Sequence, residues 1–586
     1  MNIAPYIFLV TPRGERRSAR LKAFVDAVQR TQKLALLRDE EDLVALGASG
    51  APCTDLANGG LIWGHLFANE SSRPISRQAP TDDLSAPATD FVRRHWGGYL
   101  AVRRRPDGIE VLRDPAGGIP CYTAEIDGTH VMTSRPALLC DAGLQPIEFD
   151  WMIVAQALAY RDIKPARTAL RGISELLPGM SMHVRPDRVE TRCVWSPWQF
   201  AGASDEFGDF AAAADELRQV LSQTVSTWAG CFRQPVVEIS GGLDSAVVAA
   251  CLAQSGRDPA CLNFWPTAGD PDERPFARAI AERLKFSLNE VPLDVANIDL
   301  AASHAKDLPR ASARTFSQAM DRATRSLGVG IGADVYFSGT GGDCVFCHLH
   351  SALPVVDRYL RQGIGAGLWR TAENVAHLAP ATIWEVASST VRLLRRRQHR
   401  SLTPRRNRFL APVTAAALTW PAGNPWLDIP EDVLPGKRRH ISSLISIQNH
   451  LEGYSRLGDG PIISPLLAQP VMELCIRIPT WLWCDAGRNR AVARAAFADA
   501  LPAAVIARRS KGGFDSFGAE LIRQNRKLMR DMLLDGALAD QRLIDTAAVR
   551  QALERPLPDG EAIVELLALI DQEAWISAWM ARRASR

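Results

Sequence analysis

Residues 236–256 read VVEISGGLDSAVVAACLAQSG. An apolar run stops at Ser240-Gly241-Gly242. A carboxylate (Asp244) and a hydroxyl (Ser245) follow, and then a small-residue helical pattern takes over. A buried strand feeding a helix through two glycines is one unit of a parallel sheet. The neighbouring text repeats the unit. ACLNFW at 260–265 precedes a helical pattern, DERPFARAIAERL at 272–284, and VYFSG at 335–339 runs into a second glycine-rich loop. Strands alternating with helices predict a doubly wound parallel sheet, with ligands bound beyond the strands' carboxyl ends.

The loop chemistry narrows the ligand. Gly241 and Gly242 let backbone approach closely and adopt positive φ. The following helix presents unpaired N–H groups and the positive end of its dipole, a natural phosphate site. Ser240 and Ser245 add hydroxyl donors. Asp244 repels phosphate unless a cation intervenes, and Mg²⁺ suits that role. The second loop, FSGTGGD at 337–343, also ends in a carboxylate, Asp343. Asp244 and Asp343 are therefore expected to face one another across adjacent strand ends and to hold Mg²⁺ with phosphate oxygens. Ile239, Ser240, Gly241, Gly242, Asp244, Ser245, Phe264, Ser338, Gly339 and Thr340 form the expected nucleotide site. Asp272 and Glu273 are either outer ligands or acids at a helix start. The motif is neither G-x-x-x-x-G-K-[ST] nor G-x-G-x-x-G.

The 586 residues are too many for one ordinary domain. A hydrophobic content of 47% with 23% charged residues is globular, and a net charge of +3 gives no reason to expect a nucleic-acid partner. The first 17 residues, MNIAPYIFLVTPRGERR, lack a basic start and a small-residue cleavage site, so they read as a buried strand rather than a signal peptide. No apolar run reaches the length of about 18 residues that a membrane span needs. Eleven scattered cysteines read as reduced thiols in the cytoplasm. Short strand-like runs with turn signals fill residues 1–200, among them IEVLRD, PAGGIPCY and HVMTS. WSPWQFAGASD at 195–205 reads as a linker, and from Glu206 to Gly230 a helical pattern takes over, in FAAAADELRQVLSQTVSTW. Beyond the third strand the chain is mainly helical, without internal repeats. The run RLLRRRQHRSLTPRRNRF at 392–409 is either a solvated loop or a docking patch for an acidic partner.

SGGLDS followed by SGTGGD resembles the ATP-pyrophosphatase synthetases of the asparagine-synthetase type. The resemblance covers nearly the whole chain. WGGYLAV, RDPAGGIPCY and ALRGISELLPGM resemble, in order, the family's N-terminal glutaminase-like domain. SPLLAQPVMEL and GRNRAVARAAFADALPAAVIARRSKGGFD resemble its C-terminal helices and catalytic lysine segment. The resemblance implies two domains. Residues 1–200 would form an Ntn-type sandwich (α+β), and residues 206–586 a doubly wound α/β ATP-pyrophosphatase domain with extra helices. It also implies ATP and Mg²⁺ as cofactors, and Lys511 beside Asp244 and Asp343 as a catalytic residue. Only eight lysines occur in the chain, which makes one within a motif informative. An ammonium there stabilises charge developing on phosphate or on a tetrahedral oxyanion, with Arg508 and Arg509 as lesser alternatives.

The chain also departs from the family. Position 2 is Asn2 where a working glutaminase carries its cysteine, the first cysteine is Cys53, and Trp63, Gly64 and His65 stand where a glutamine-binding Asn-Gly-Glu is expected. An amide cannot replace a thiolate nucleophile, so the N-terminal domain is expected to be a scaffold, and the attacking amine to come from the substrate. GGDCVFC, PLLAQP and RRSKGGFD resemble the lasso-peptide macrolactam cyclases, whereas β-lactam synthetases place a tyrosine where this chain has Thr340. The implied partners are a ribosomal precursor peptide, leader and core, and a leader-peptide protease, with no membrane and no nucleic acid. The C-x-x-C-H run Cys344–His348, with His350 nearby, is read as core and loop residues rather than as a haem or zinc site. Trp481 and Trp483 are read as core.

Overall fold

A computed structural model describes residues 5–56, 58–69, 86–202, 206–266, 272–312, 314–395, 407–455, 459–509, 515–555 and 560–585. Residues 6–193 build two six-stranded sheets. The first strand, Tyr6–Val10, is central to one of them, pairing antiparallel with Leu43–Ala48 and Thr129–Thr133. Its alternation fixes which side chains go where. Tyr6, Phe8 and Val10 join Trp63, Leu100 and Val102 of the other sheet in a core between the layers. Ile7 and Leu9 face outward, under Leu21, Phe24 and Val28 of the helix Ala19–Gln32. The expected sandwich is thus two apposed antiparallel sheets.

The parallel sheet has the spatial order Leu288–Leu293, Ala260–Pro266, Pro235–Glu238, Val335–Phe337, Ile462–Ile463. Every pair is parallel. Chain order reverses between Pro235–Glu238 and Val335–Phe337, where Val236 pairs with Tyr336. That switch point opens a crevice between the two loops that follow those strands. The helical pattern expected from Glu206 to Gly230 appears as Phe210–Ala229, starting later because Asp209 caps it, and that at 272–284 as Arg274–Leu284.

The stretch read as a linker is not a bare tether. Trp195 is buried and donates Nε1–H to Glu473 Oε1 at 2.7 Å. Trp198 in the short 3₁₀ helix Pro197–Phe200 donates to the Trp426 carbonyl at 2.8 Å. Two indoles offer more apolar area than a solvated tether tolerates, so the described part of the stretch docks on the second half of the chain. Residues 392–395 likewise end a helix, Ile383–Arg395, and Arg408 pairs with Glu565; residues 396–406 lie outside the described residues.

A buried ion cluster ties the two halves together. Glu175 accepts from Arg113 at 2.7 Å, Lys164 at 2.8 Å and Arg310 at 3.2 Å. Lys164 also pairs with Glu452, which accepts the Tyr122 hydroxyl. Buried charges persist only when paired this fully. No helix among the described residues is long and apolar enough to cross a membrane, and all eleven cysteines are free thiols.

Candidate functional site

The two glycine loops meet backbone to backbone. Gly241 takes φ +75°, and a Cβ there would fall 2.9 Å from the Glu273 carbonyl oxygen. A Cβ on Gly339 would lie 2.6 Å from the Ser245 nitrogen, and one on Gly342 2.2 Å from the Asp244 carboxyl carbon. Only glycine lets the loops approach this closely. The helix Leu243–Gln254 starts at Gly242 with no side-chain cap, so its first N–H groups point into the crevice. Ser245 Oγ accepts from the Ser240 N–H at 3.2 Å and lies 3.2 Å from Ser240 Oγ, while Ser338 Oγ sits 2.7 Å from Thr340 Oγ1.

Asp244 opens the helix Leu243–Gln254, and Asp343 stands in the first turn of Gly342–Val345. The structure brings both to one cation, the guanidinium of Arg490. Its Nη1 lies 3.0 and 3.2 Å from the two Asp244 carboxylate oxygens and 2.6 Å from Asp343 Oδ1. Arg490 precedes the helix Ala491–Ala496 in the left-handed region, at φ +53°. A large side chain is rarely held there, and such positions concentrate at functional sites. His348 lies behind Asp343, with Nδ1 3.3 Å from its Oδ1 and Nε2 2.7 Å from His350 Nε2 and 3.0 Å from Asn489 Nδ2.

Between the loops lies a cavity of about 220 Å³, lined by Ser240, Gly242, Asp244, Ser245, Ser338, Gly339 and Thr340 together with Glu238 and three arginines, Arg490, Arg494 and Arg508. Arg490 is shared by Asp244 and Asp343, and Arg508 is paired with Glu273, so Arg494 is the guanidinium of the three for which no carboxylate partner is seen among the described residues. Arg494 donates to the Ile506 carbonyl at 2.6 Å, and burial pulls its pKa down to about 10. Arg508 donates to the Gly241 carbonyl at 3.0 Å, stacks 4.3 Å over the Phe276 ring and pairs with Glu273.

Not every expected residue lines this cavity. Ile239 is buried, its carbonyl taken by Asn263 Nδ2 at 2.7 Å, and Phe264 packs among apolar side chains. Both sit below the crevice because they belong to the strand layer itself. Glu273 pairs with Arg508 and Asp272 with Arg274, so neither acid is aimed at the two carboxylates. Lys511 lies outside the described residues, as do Asn2, Gly512 and Gly513. The sequence gives Arg490 and Arg494 no role beyond their place in GRNRAVAR at 487–494, and His348, read there as a core or loop residue of the C-x-x-C-H run, stands instead beside Asp343.

In the N-terminal half, Trp63 and His65 lie in apolar packing. His65 stacks against Phe67 and meets Trp228 and Phe232 edge-on at 5.5 Å each, and burial lowers its pKa to about 4. Cys347 is buried and its thiol is raised well above the usual range by that burial. Trp481 and Trp483 are buried in the core.

The family model described as asparagine synthase matches residues 216–581. A carboxyethyl-arginine β-lactam synthase of Streptomyces clavuligerus is 22% identical over 374 residues, spanning 60% of this chain and 65% of that protein, so the matched stretch falls short of two thirds of the relative's length. Among solved structures, a glutamine phosphoribosylpyrophosphate amidotransferase of B. subtilis complexed with ADP and GMP overlaps 43% of this chain and 58% of its own, at 11% identity and TM-score 0.19. An allosteric regulatory enzyme of purine biosynthesis overlaps 50% and 75%, at 9% identity and TM-score 0.20. Both likenesses are too slight to bear on the fold.

Proposed function

The chain belongs to the asparagine synthase family, and from that membership we propose that it is an ATP-dependent, AMP-forming ligase that makes amide bonds. The observation that carries this reading is the convergence of Asp244 and Asp343 on a single cation at the mouth of an uncapped helix. Paired carboxylates beside exposed helix N–H groups suit a metal-bound polyphosphate.

A magnesium ion fits this donor set. Among the described residues no group of three or more His, Cys, Asp or Glu side chains forms a metal cage. Two carboxylates plus phosphate oxygens and water are the ligands Mg²⁺ ordinarily takes. Asp244 and Asp343 would hold it, and when bound it neutralises charge on the departing pyrophosphate. The helix N–H groups and Ser240 hold the phosphates, and Arg494 and Arg508 add positive charge along the cavity wall.

The finer reading is macrolactam formation. A side-chain carboxylate of a precursor peptide attacks the α-phosphorus of ATP and releases pyrophosphate. The peptide's own α-amine then attacks the acyl carbon and expels AMP, closing a ring as in lasso-peptide biosynthesis. Asn2 supports an amine supplied by the substrate, since it offers no nucleophile for releasing ammonia from glutamine. Joining two groups of one molecule can gain roughly 7–11 kcal/mol from proximity. The similarity to a β-lactam synthase favours a second reading, closure of a small lactam, for which Thr340 replaces the tyrosine expected in the loop.

The test is pyrophosphate release with ATP, Mg²⁺ and the precursor peptide encoded beside the gene, if one is present, with the product weighed by mass spectrometry. AMP formation with loss of one water from the peptide is expected. Asp244→Ala and Asp343→Ala should each abolish release while thermal unfolding stays near wild type. ADP as product, or undiminished turnover in both variants, would overturn the ligase assignment to this site.

A further inference from the structure

A second cavity, of about 260 Å³, lies on the seam between the two halves of the chain. Its walls come from the helix Trp151–Ala159 and the loop after it, from the loop carrying Arg310 and Ser312, and from the C-terminal helix Gly560–Ala584. One side is apolar, with Ile153, Leu158, Phe316 and Leu567. The other is polar, and most of its groups are satisfied. Arg310 donates to Glu175 at 3.2 Å, Arg314 Nη2 lies 2.7 Å from His450 Nε2, and Asp571 Oδ1 accepts the Thr315 N–H at 2.8 Å.

Three buried polar atoms on this wall have no hydrogen-bond partner: Arg161 Nη1, Gln572 Nε2 and Ser312 Oγ. Gln572 is only 4% exposed. An unpaired buried polar group keeps its full desolvation penalty, which is larger when the group is charged. All three can donate, so the complement they lack is an acceptor. The surroundings select among acceptors. Arg310 and Arg314 are already engaged, which leaves one uncommitted guanidinium edge and two neutral donors. Asp162 and Asp571 also lie in the wall, and together they oppose a dianion. A planar monoanion joined to an apolar body meets both sides of the cavity.

The seam also leads toward the nucleotide site. His450 lines this cavity and a narrower one of about 60 Å³, which Ser338 and Thr340 share with the nucleotide cavity. We propose that the seam cavity binds a carboxylate attached to an apolar group, with Arg161, Gln572 and Ser312 as the donors that hold it. Assigning that carboxylate to the ligase's acceptor rests on the reading above; the binding itself does not.

The experiment is titration calorimetry of the full-length protein without nucleotide, with N-acetyl-leucine at neutral pH as probe and N-acetyl-leucinamide and inorganic phosphate as comparisons. N-acetyl-leucine is expected to bind at least tenfold more tightly than either. Arg161→Met and Gln572→Leu should each weaken it at least tenfold and leave ATP affinity within twofold of wild type. Equal binding of acid and amide, or tighter binding of phosphate, overturns the proposal, and neither comparison depends on a variant folding. Variants that fold normally and bind the acid as wild type does also overturn it. In turnover, N-acetyl-leucine that competes with the precursor peptide marks the site as the acceptor's; an effect on kcat alone marks it as a site for a separate small acid. Wild-type protein that fails to bind the probe yet releases pyrophosphate would remove this site and leave the ligase reading standing, and wild-type protein that binds the probe but releases none would do the opposite.

Discussion

Arg490 Nη1 donates to Asp343 Oδ1 at 2.6 Å across 147 positions of sequence. The same nitrogen holds Asp244, so one guanidinium balances two carboxylates that would otherwise repel.

Replacing it should therefore expose that repulsion. Arg490→Met is expected to lose roughly 1–3 kcal/mol of stability in metal-free buffer, and to recover much of the loss when Mg²⁺ is added. Thermal unfolding with and without Mg²⁺ reads this directly. A wild type that responds to Mg²⁺ as strongly as the variant would show that the arginine does not stand in for a cation.

Gly342 tests the approach of the loops. A Cβ there meets the Asp244 carboxyl group at 2.2 Å, whereas one on Gly330 meets nothing within 4 Å. Gly342→Ala should lower pyrophosphate release at least tenfold by moving Asp244, and Gly330→Ala should leave it unchanged. Equal rates in the two variants would dissociate the Asp244 position from turnover.

Lys511 is proposed to act on charge that develops during the reaction. Lys511→Ala should lower kcat by about 10²–10³ and leave ATP affinity nearly unchanged. Lys511→Arg should also be slow, because a planar fork does not reproduce a compact point charge. Single-turnover ring closure with nucleotide titration separates the cases. ATP binding lost in proportion to rate would make Lys511 a ground-state phosphate ligand.

His440 sets part of the acid limit of the fold. It is fully buried, its Nε2 lies 2.9 Å from the Val345 carbonyl oxygen, and burial followed by the nearby Lys437 lowers its pKa from 6.5 to about 3. A depressed histidine is neutral in the folded state and charged in the unfolded one. Its contribution is present above pH 6.5 and is lost as pH falls toward 3, by at most about 1.4 kcal/mol per pH unit. Asp357 and Asp571 oppose this. Burial raises both from 3.8 to about 6, so their share of stability is lost as pH rises between those values. His440→Gln should flatten the fall in stability between pH 6.5 and 3 in urea titrations. An unchanged slope would remove His440 from the acid response.

The sequence alone determined the elements and the loops. The continuous apolar run Tyr6–Val10, the apolar run ending at Ser240, and glycines at 241, 242, 339 and 341 are local signals, each readable within a few residues because backbone conformation is decided by near neighbours. They specified the parallel sheet, the two glycine-rich loops and the meeting of Asp244 with Asp343. Tertiary structure decided what stands between and behind those carboxylates. Arg490 lies 246 positions from Asp244, and nothing local distinguishes it from the chain's many other arginines. Its role comes from a left-handed backbone turn and from the packing that leaves it 7% exposed. Trp195 and Trp198 read as linker residues because their partners, Glu473 and Trp426, are remote in sequence. The seam cavity had no sequence signal at all, since its donors come from three separate segments that become neighbours only when the two halves of the chain pack together.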